Sequence, residues 1–353
     1  MATLVLITGT GRSGTSTMSG TLHHLGLSVP GPHLGANESN PKGFFESRWA
    51  VRFHKRLAEA AGIDQFDARP QAISYARRAA TAELRTQLVE RLQRWAGDDQ
   101  VVVKDPRSVW AQQLWGDAAA QVGREIRYLS MLRHPAESIG SRSTYYVAEG
   151  SSEERRRAYE ILSTVRWINS QLVSERETRG RVRAFVQYTD LLEDWRAVVT
   201  RLRDDLGLTF DTDLTPGEHH PVDDFIEPAL RRHGVSWAGL SVPAPLVELA
   251  ESIWAALAAL EQQPDDAAAM AELDRCSARY ADLYADATAI NQDLVQQGRI
   301  AARREGAAEV RAQQSAQQAG QQARGPLVAQ VGGRDLLREV GRRAARRLRR
   351  SRL

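Results

Sequence analysis

Cysteine is nearly absent: one residue, Cys276, in a chain of 353. A single thiol can form neither an internal disulfide nor a thiolate metal cluster, and such usage fits a reducing compartment. Its plainest reading is a helix-packing residue. Long apolar runs are missing too. The most apolar helical candidate, Leu246 to Leu260, is broken by Glu248 and Glu251, and no stretch reaches the roughly 18 uncharged residues that a membrane helix needs. The run Leu4 to Ile7 is short, has no basic leader and flows into a glycine loop, so it is not expected to be a signal peptide. The expected location is cytoplasmic, at most peripheral at the inner face of a membrane. A strong net charge is also lacking, at +3 overall. That small sum conceals an asymmetry, because residues 301–353 hold 13 Arg against 4 acidic residues, leaving the first 300 residues net negative. The basic character belongs to the tail.

What is present reads as an α/β chain. With 42% hydrophobic and 26% charged residues, composition excludes wholesale disorder and fibrous repeats. Residues 3 to 8, Thr-Leu-Val-Leu-Ile-Thr, form a continuous apolar run bounded by glycine, as a strand buried on both faces requires. Three more such runs lie at Val101 to Val103, Ile126 to Leu132 and Arg183 to Tyr188. Helical sequence separates them, at about Arg48 to Ala61, Tyr75 to Trp95, Ser152 to Glu177 and Leu191 to Leu206. This alternation predicts βαβ units in a doubly wound parallel sheet flanked by helices. Thr209 to Pro245 reads as loop. From Leu246 to about Arg311 apolar residues recur every three or four positions, which predicts a helical pair packed on the domain. The expected division is a P-loop domain over 1–300, helical from about 246, and a basic Ala/Gln/Arg-rich tail over 301–353, helical or partly disordered. Within that tail the Gln/Ala stretch Ala312 to Gly325 reads as a linker or a lone helix.

The densest signal is Gly9-Thr-Gly-Arg-Ser-Gly-Thr-Ser16, with the glycine, four residues, glycine spacing of a phosphate loop. Glycines let successive amides turn toward one anion, and the helix that follows adds the positive end of its dipole. Gly11, Ser13 and Gly14 supply backbone, while Arg12, Thr15, Ser16 and Thr17 supply side-chain donors. Thr15 stands where a Walker lysine would be, and no acidic partner for magnesium is evident. An ordinary ATPase or GTPase is therefore disfavoured. A bare strand-to-helix turn, with small polar residues as caps, is the bland alternative.

The run Thr10 to Thr17 resembles the 5′-phosphosulfate loop of PAPS-dependent sulfotransferases, in which a basic residue precedes Ser-Gly-Thr. Leu132-Arg-His-Pro-Ala-Glu-Ser-Ile-Gly-Ser141 resembles that family's 3′-phosphate motif. Val186-Gln-Tyr-Thr-Asp-Leu-Leu is similar to its late Tyr-containing stretch. Asn40 to Glu46 and Val103 to Arg107 look like bacterial, actinobacterial-type members. The resemblance spans Thr3 to about Leu208 and leaves out the tail. It implies that Arg12 meets the bridging or sulfuryl oxygens, that Arg133 and Ser141 clamp the 3′-phosphate, and that Tyr188 lies beside the adenine. It also implies PAPS as cosubstrate, PAP as product and no metal.

Sulfuryl transfer is an in-line displacement, so the protein mainly positions reactants and stabilises charge. Arg12 and Lys104 are the candidates to bind the oxygens where charge accumulates. A base is also needed. Pro106 occupies the position where animal cytosolic members carry His, and Glu46 is the first choice, its two neighbouring aromatics able to raise its pKa. Glu38, His33 and His54 stay open, as does a purely structural Glu46 at a helix N-terminus. Asp105 and Arg107 read as an ion pair ordering their loop, and Arg231 and Arg232 as a basic loop over the 3′-phosphate or a solvated face.

The expected acceptor is a hydroxyl or amine of a glycan, glycolipid or secondary metabolite, bound by the variable stretches 33–75 and 145–180. The tail reads as a membrane-surface helix, a docking arm or a solvated extension, and no nucleic acid is expected. The rival readings are a P-loop kinase or nucleotidase using Mg-ATP, and a non-enzymatic nucleotide-binding protein that docks on membranes.

Overall fold

The computed structural model describes residues 2–36, 40, 42–146, 150–215, 217–226, 235–324, 333 and 337–343. The apolar run at the start is strand β1 (Thr3–Gly9). Its side chains alternate between two cores, Val5 and Ile7 in one and Leu4 and Leu6 in the other. That is why the run is continuous rather than alternating. β2 (Gln100–Lys104), β3 (Glu125–Leu132) and β4 (Arg183–Gln187) complete a sheet of order β2-β1-β3-β4. Every pairing is parallel, with Ile7 opposite both Lys104 and Leu129. The α/β fold expected from the alternation of runs is the one present.

Helices follow in chain order: α1 (Thr15–His24), α2 (Arg48–Ala61), α3 (Ala72–Ala79), α4 (Ala82–Arg94), α5 (Gln112–Gln121), α6 (Pro135–Tyr146) and α7 (Glu153–Thr178). Then come α8 (Tyr188–Glu193), α9 (Trp195–Leu206), α10 (Pro221–Phe225), α11 (Ala244–Gln262), α12 (Ala267–Ile290) and α13 (Gln292–Arg324). Met18 and Leu22 of α1 and Val199 and Leu202 of α9 cover one face of the sheet. Phe53 of α2, Leu88 of α4 and Trp115 of α5 cover the other. A third core joins Leu132 and Phe185 to α7, α11 and α12. Each fully buried Leu or Phe contributes about 1.5–3 kcal/mol, so both faces are held by side chains whose spacing the sequence displays.

Three helical stretches differ from expectation: the pair expected over Leu246 to about Arg311 is three helices, α11, α12 and α13, and two stretches expected as single helices are divided. Tyr75 to Trp95 is not one helix: α3 ends at Ala79, and the Thr81 hydroxyl caps α4 by accepting from the Leu84 amide at 3.3 Å. Likewise Asp194 caps α9 through the Ala197 amide at 3.0 Å, separating it from α8. In both places a short polar side chain satisfies an orphan N–H while the apolar periodicity runs on through the break. Cys276 is buried in the third core, where burial and the nearby Glu272 carboxylate push its thiol up to about 11. It packs, as expected, and is not activated.

The chain divides into a compact unit over Met1–Tyr284 and a second over Ala285–Leu353. In the second, α13 is a long helix whose described side chains are exposed. It includes most of the Gln/Ala stretch. Among the described residues no helix is long and apolar enough to cross a membrane.

Candidate active site

Because the four strands are parallel, their carboxyl ends share one edge, the place where such sheets bind ligands. β1 runs there into the glycine loop, β2 ends at Lys104, β3 delivers Arg133 one residue later and β4 is followed directly by Tyr188. The loop is tightly drawn. Gly9 has φ 152° and Gly14 φ 86°, and Arg12, a non-glycine residue, is held at φ 73°. Such strain persists only where surroundings impose it. Ser13 supplies part of that constraint, its amide and hydroxyl both donating to the Thr10 carbonyl at 3.1 and 2.7 Å. A Cβ on Gly9 would lie 2.5 Å from Ser13 Oγ, and one on Gly14 would lie 2.1 Å from the Tyr188 ring. Gly14 is the N-cap of α1 and brings no capping side chain. The first-turn amides of Thr15, Ser16 and Thr17 therefore face the loop with the dipole behind them, a geometry suited to an anion.

Arg12, Arg133, Ser141 and Tyr188 come together around that loop. Arg12 Nε donates to Ser141 Oγ at 3.2 Å, and Arg133 Nη1 donates to the Arg12 carbonyl at 2.8 Å. Arg133 also pairs with Glu137 at 3.1 Å, one helical turn on, and its guanidinium lies 5.0 Å from the centre of the Tyr188 ring. The loop, β3 and α6 are thus tied through one buried arginine.

Lys104 and Glu46 form a second cluster. Lys104 is 1% exposed, donates to Ser16 Oγ at 3.0 Å and to Glu46 Oε1 at 2.5 Å. Burial raises the Glu46 carboxyl pKa and the Lys104 charge holds it back; burial lowers the Lys104 pKa and Glu46 holds that back. Each group is the main brake on its partner's neutralisation. Ser47, not Glu46, is the N-cap of α2, and the Glu46 carboxylate is spoken for by Lys104. Phe45 before it is at φ 48°, with its carbonyl accepting from Ser19 Oγ at 3.1 Å. Its ring packs on His23, His24 and Phe225. α1 thereby pins the turn that presents Glu46.

Two other candidate bases, His54 and His33, are engaged elsewhere. His54 is buried, with Nδ1 2.9 Å from Asp105 and Nε2 accepting from the Trp115 indole at 2.8 Å. Asp105 pairs with Arg107 at 2.7 Å, as expected of a loop-ordering pair, and the His54 contact had no sequence signal. His33 Nε2 lies 2.8 Å from the Val29 carbonyl. Glu38, Arg231 and Arg232 lie outside the described residues.

A family model described as "Sulfotransferase family" matches residues 5–212, more than half of the chain. The chain belongs to the sulfotransferase family. Two solved structures are similar to it. One, a "Sulfotransferase Domain from the Synechococcus PCC 7002 Olefin Synthase", is 19% identical over 71% of this chain and 94% of that one, with a TM-score of 0.38. The other, a "Sulfotransferase Domain from the Curacin Biosynthetic Pathway", is 17% identical over 63% of this chain and 82% of that one, with a TM-score of 0.33. No curated protein matches the chain.

The sulfotransferase also has site residues that motif reading passed over. Ser16, Thr17 and Tyr188 line a small cleft of about 30 Å³ together with Asn40, Lys42, Gly43, Leu192 and Phe225. Lys42 fastens its rim by donating to the Asp224 and Phe225 carbonyls at 2.9 and 2.8 Å. Asn40 and Lys42 sit in a segment the sequence had marked. Phe225 sits in a stretch read as loop, and its packing over Gly20, where a Cβ would lie 2.3 Å from its ring, and against the His24 ring ties it to α1. The enzyme thus presents a glycine loop whose geometry suits an anion, a small cleft beside Tyr188 and a buried Lys104–Glu46 pair bonded to Ser16.

Proposed function

We propose that this sulfotransferase takes its sulfuryl group from PAPS and passes it to a hydroxyl or amine of a glycan, glycolipid or secondary metabolite, releasing PAP. The observation that carries the reading is the convergence of Arg12, Lys104 and Arg133 with the Gly9 to Gly14 loop at one carboxyl edge. The adenine lies beside Tyr188, the 3′-phosphate takes Arg133 and Ser141, and the phosphosulfate takes the loop amides.

In the reaction the acceptor oxygen attacks sulfur in line, the S–O bond to the phosphate breaks, and its electron pair stays on PAP. Arg12 and Lys104 stabilise the charge that grows on that oxygen, a contribution strongest in a dry site. Glu46 takes the acceptor proton, and a raised pKa makes it a better base than an exposed glutamate. Lys104 Nζ lies 2.5 Å from Glu46 Oε1, so the base and the leaving-group cation are electrically linked.

Two measurements test this. PAP should raise the melting temperature without magnesium, and Mg-ATP should not. Radiolabelled PAPS given with cell extract should label an acceptor in the presence of the enzyme. Protection by Mg-ATP with none from PAP would replace the reading with phosphoryl transfer.

A further inference from the structure

The fit of α6 to the glycine loop shows one more arginine. Ser141 and Arg142 are consecutive on α6 and so point about 100° apart. Ser141 meets the Arg12 side chain, while Arg142 reaches the backbone one residue earlier: a Cβ on Gly11 would lie 2.7 Å from Arg142 Nη1. The guanidinium is held over the Phe66 ring, 5.2 Å from its centre, and Phe66 itself lies 3.4 Å from the same Gly11 position. Neighbours change in order along the loop and the helix behind it. Gly11 faces Arg142 and Phe66, Gly14 faces Tyr188, and Gly20 faces Phe225. A nucleotide with its base beside Tyr188 therefore has its reactive end toward Gly11. Arg142 stands at that end.

Charge points the same way. Lys104 and Arg133 each sit against a carboxylate, Glu46 and Glu137. A bisphosphate nucleotide with a sulfuryl cap carries roughly four negative charges, more than those two cations and Arg12 offset together. We propose that Arg142, steadied by Phe66, binds the oxygens of the sulfuryl group itself, so that the enzyme distinguishes the loaded donor from spent PAP. This rests on PAPS being the donor. Arg142 is then a donor-reading residue: it grips the group being moved, whereas Arg133 grips a phosphate common to substrate and product.

Calorimetric titration of the full chain with PAPS and with PAP separates the two roles. Arg142→Ala should weaken PAPS by about 10- to 100-fold, the loss expected of a charge-assisted bond, and PAP by no more than about threefold. Arg142→Lys should retain part of the preference, since the charge stays and the fork is lost. Gly11→Ala supplies a second route. Gly11 is outside the left-handed region, and its added methyl meets only the movable end of Arg142 and the Phe66 ring. It should weaken PAPS selectively in the wild-type background and add nothing further to Arg142→Ala. Equal losses for PAPS and PAP, or no loss for either, would overturn the proposal. Failure of the wild-type chain to bind PAP would instead remove the donor assignment, and this inference with it.

Discussion

Strands β2 and β3 flank the central strand and end alike, in a basic residue followed two positions on by proline: Lys104-Asp-Pro106 and Arg133-His-Pro135. Each cation is buried and paired with a carboxylate, yet the two ends differ in kind. Arg133 takes Glu137 from the helix that follows it, stacks on Tyr188 and donates to the Arg12 carbonyl. Its planar charge is permanent and its carboxylate partner is local. Lys104 takes Glu46 from 58 residues away in sequence, and burial drives both members toward neutrality. One end is built to hold, the other to change its charge state. A buried ion pair is weak support for stability, because desolvation opposes the Coulomb gain. On the proposed reading, the β2 pair serves to move a proton.

The sharpest way to break that contrast is Glu46→Gln, which removes the titrating partner and keeps its shape. Turnover should fall by about 10²- to 10⁴-fold, the worth of a general base, with PAP affinity unchanged in titration calorimetry. Lys104→Met should cost about 10²- to 10³-fold in kcat through lost charge stabilisation. It should also destabilise the fold by about 3–5 kcal/mol in urea titration, because Glu46 is left buried without its counter-ion.

The pH profile sharpens the comparison further. A base acts only when deprotonated, so activity is lost as pH falls through the Glu46 pKa, and burial places that limb above the ordinary glutamate range. Glu46 lacks its brake in Lys104→Met, so the limb should move to higher pH; in Arg133→Ala it should stay. Arg133→Ala should weaken PAP by about 10- to 100-fold and shift no titration. The smallest effect is expected outside the family match, which ends at residue 212: removing residues 312–353 should change turnover on a soluble acceptor by less than about twofold.

The sequence displayed what repeats or what glycine alone can do. β1 was legible because a strand buried on both faces must be apolar throughout, and the loop because Gly9 and Gly14 occupy conformations that a side chain would block. Arg133 and Ser141 were legible through their spacing along one strand and helix. The Glu46–Lys104 contact was not legible as a pair, since nothing in local sequence says that the α1-pinned turn before α2 meets the end of β2. Phe225 was missed for a similar reason: it acts through tertiary packing on Gly20 from a stretch with little periodicity of its own. The breaks at Thr81 and Asp194 were hidden because capping satisfies the backbone without interrupting the apolar pattern.

A crystal structure of the PAP complex tests the central claim most directly. The account predicts the 5′-phosphate within hydrogen-bonding distance of the amides from Ser13 to Thr17, and the 3′-phosphate between the Arg133 guanidinium and Ser141 Oγ. PAP bound elsewhere, or bound in the loop with its 3′-phosphate turned away from Arg133, would contradict it.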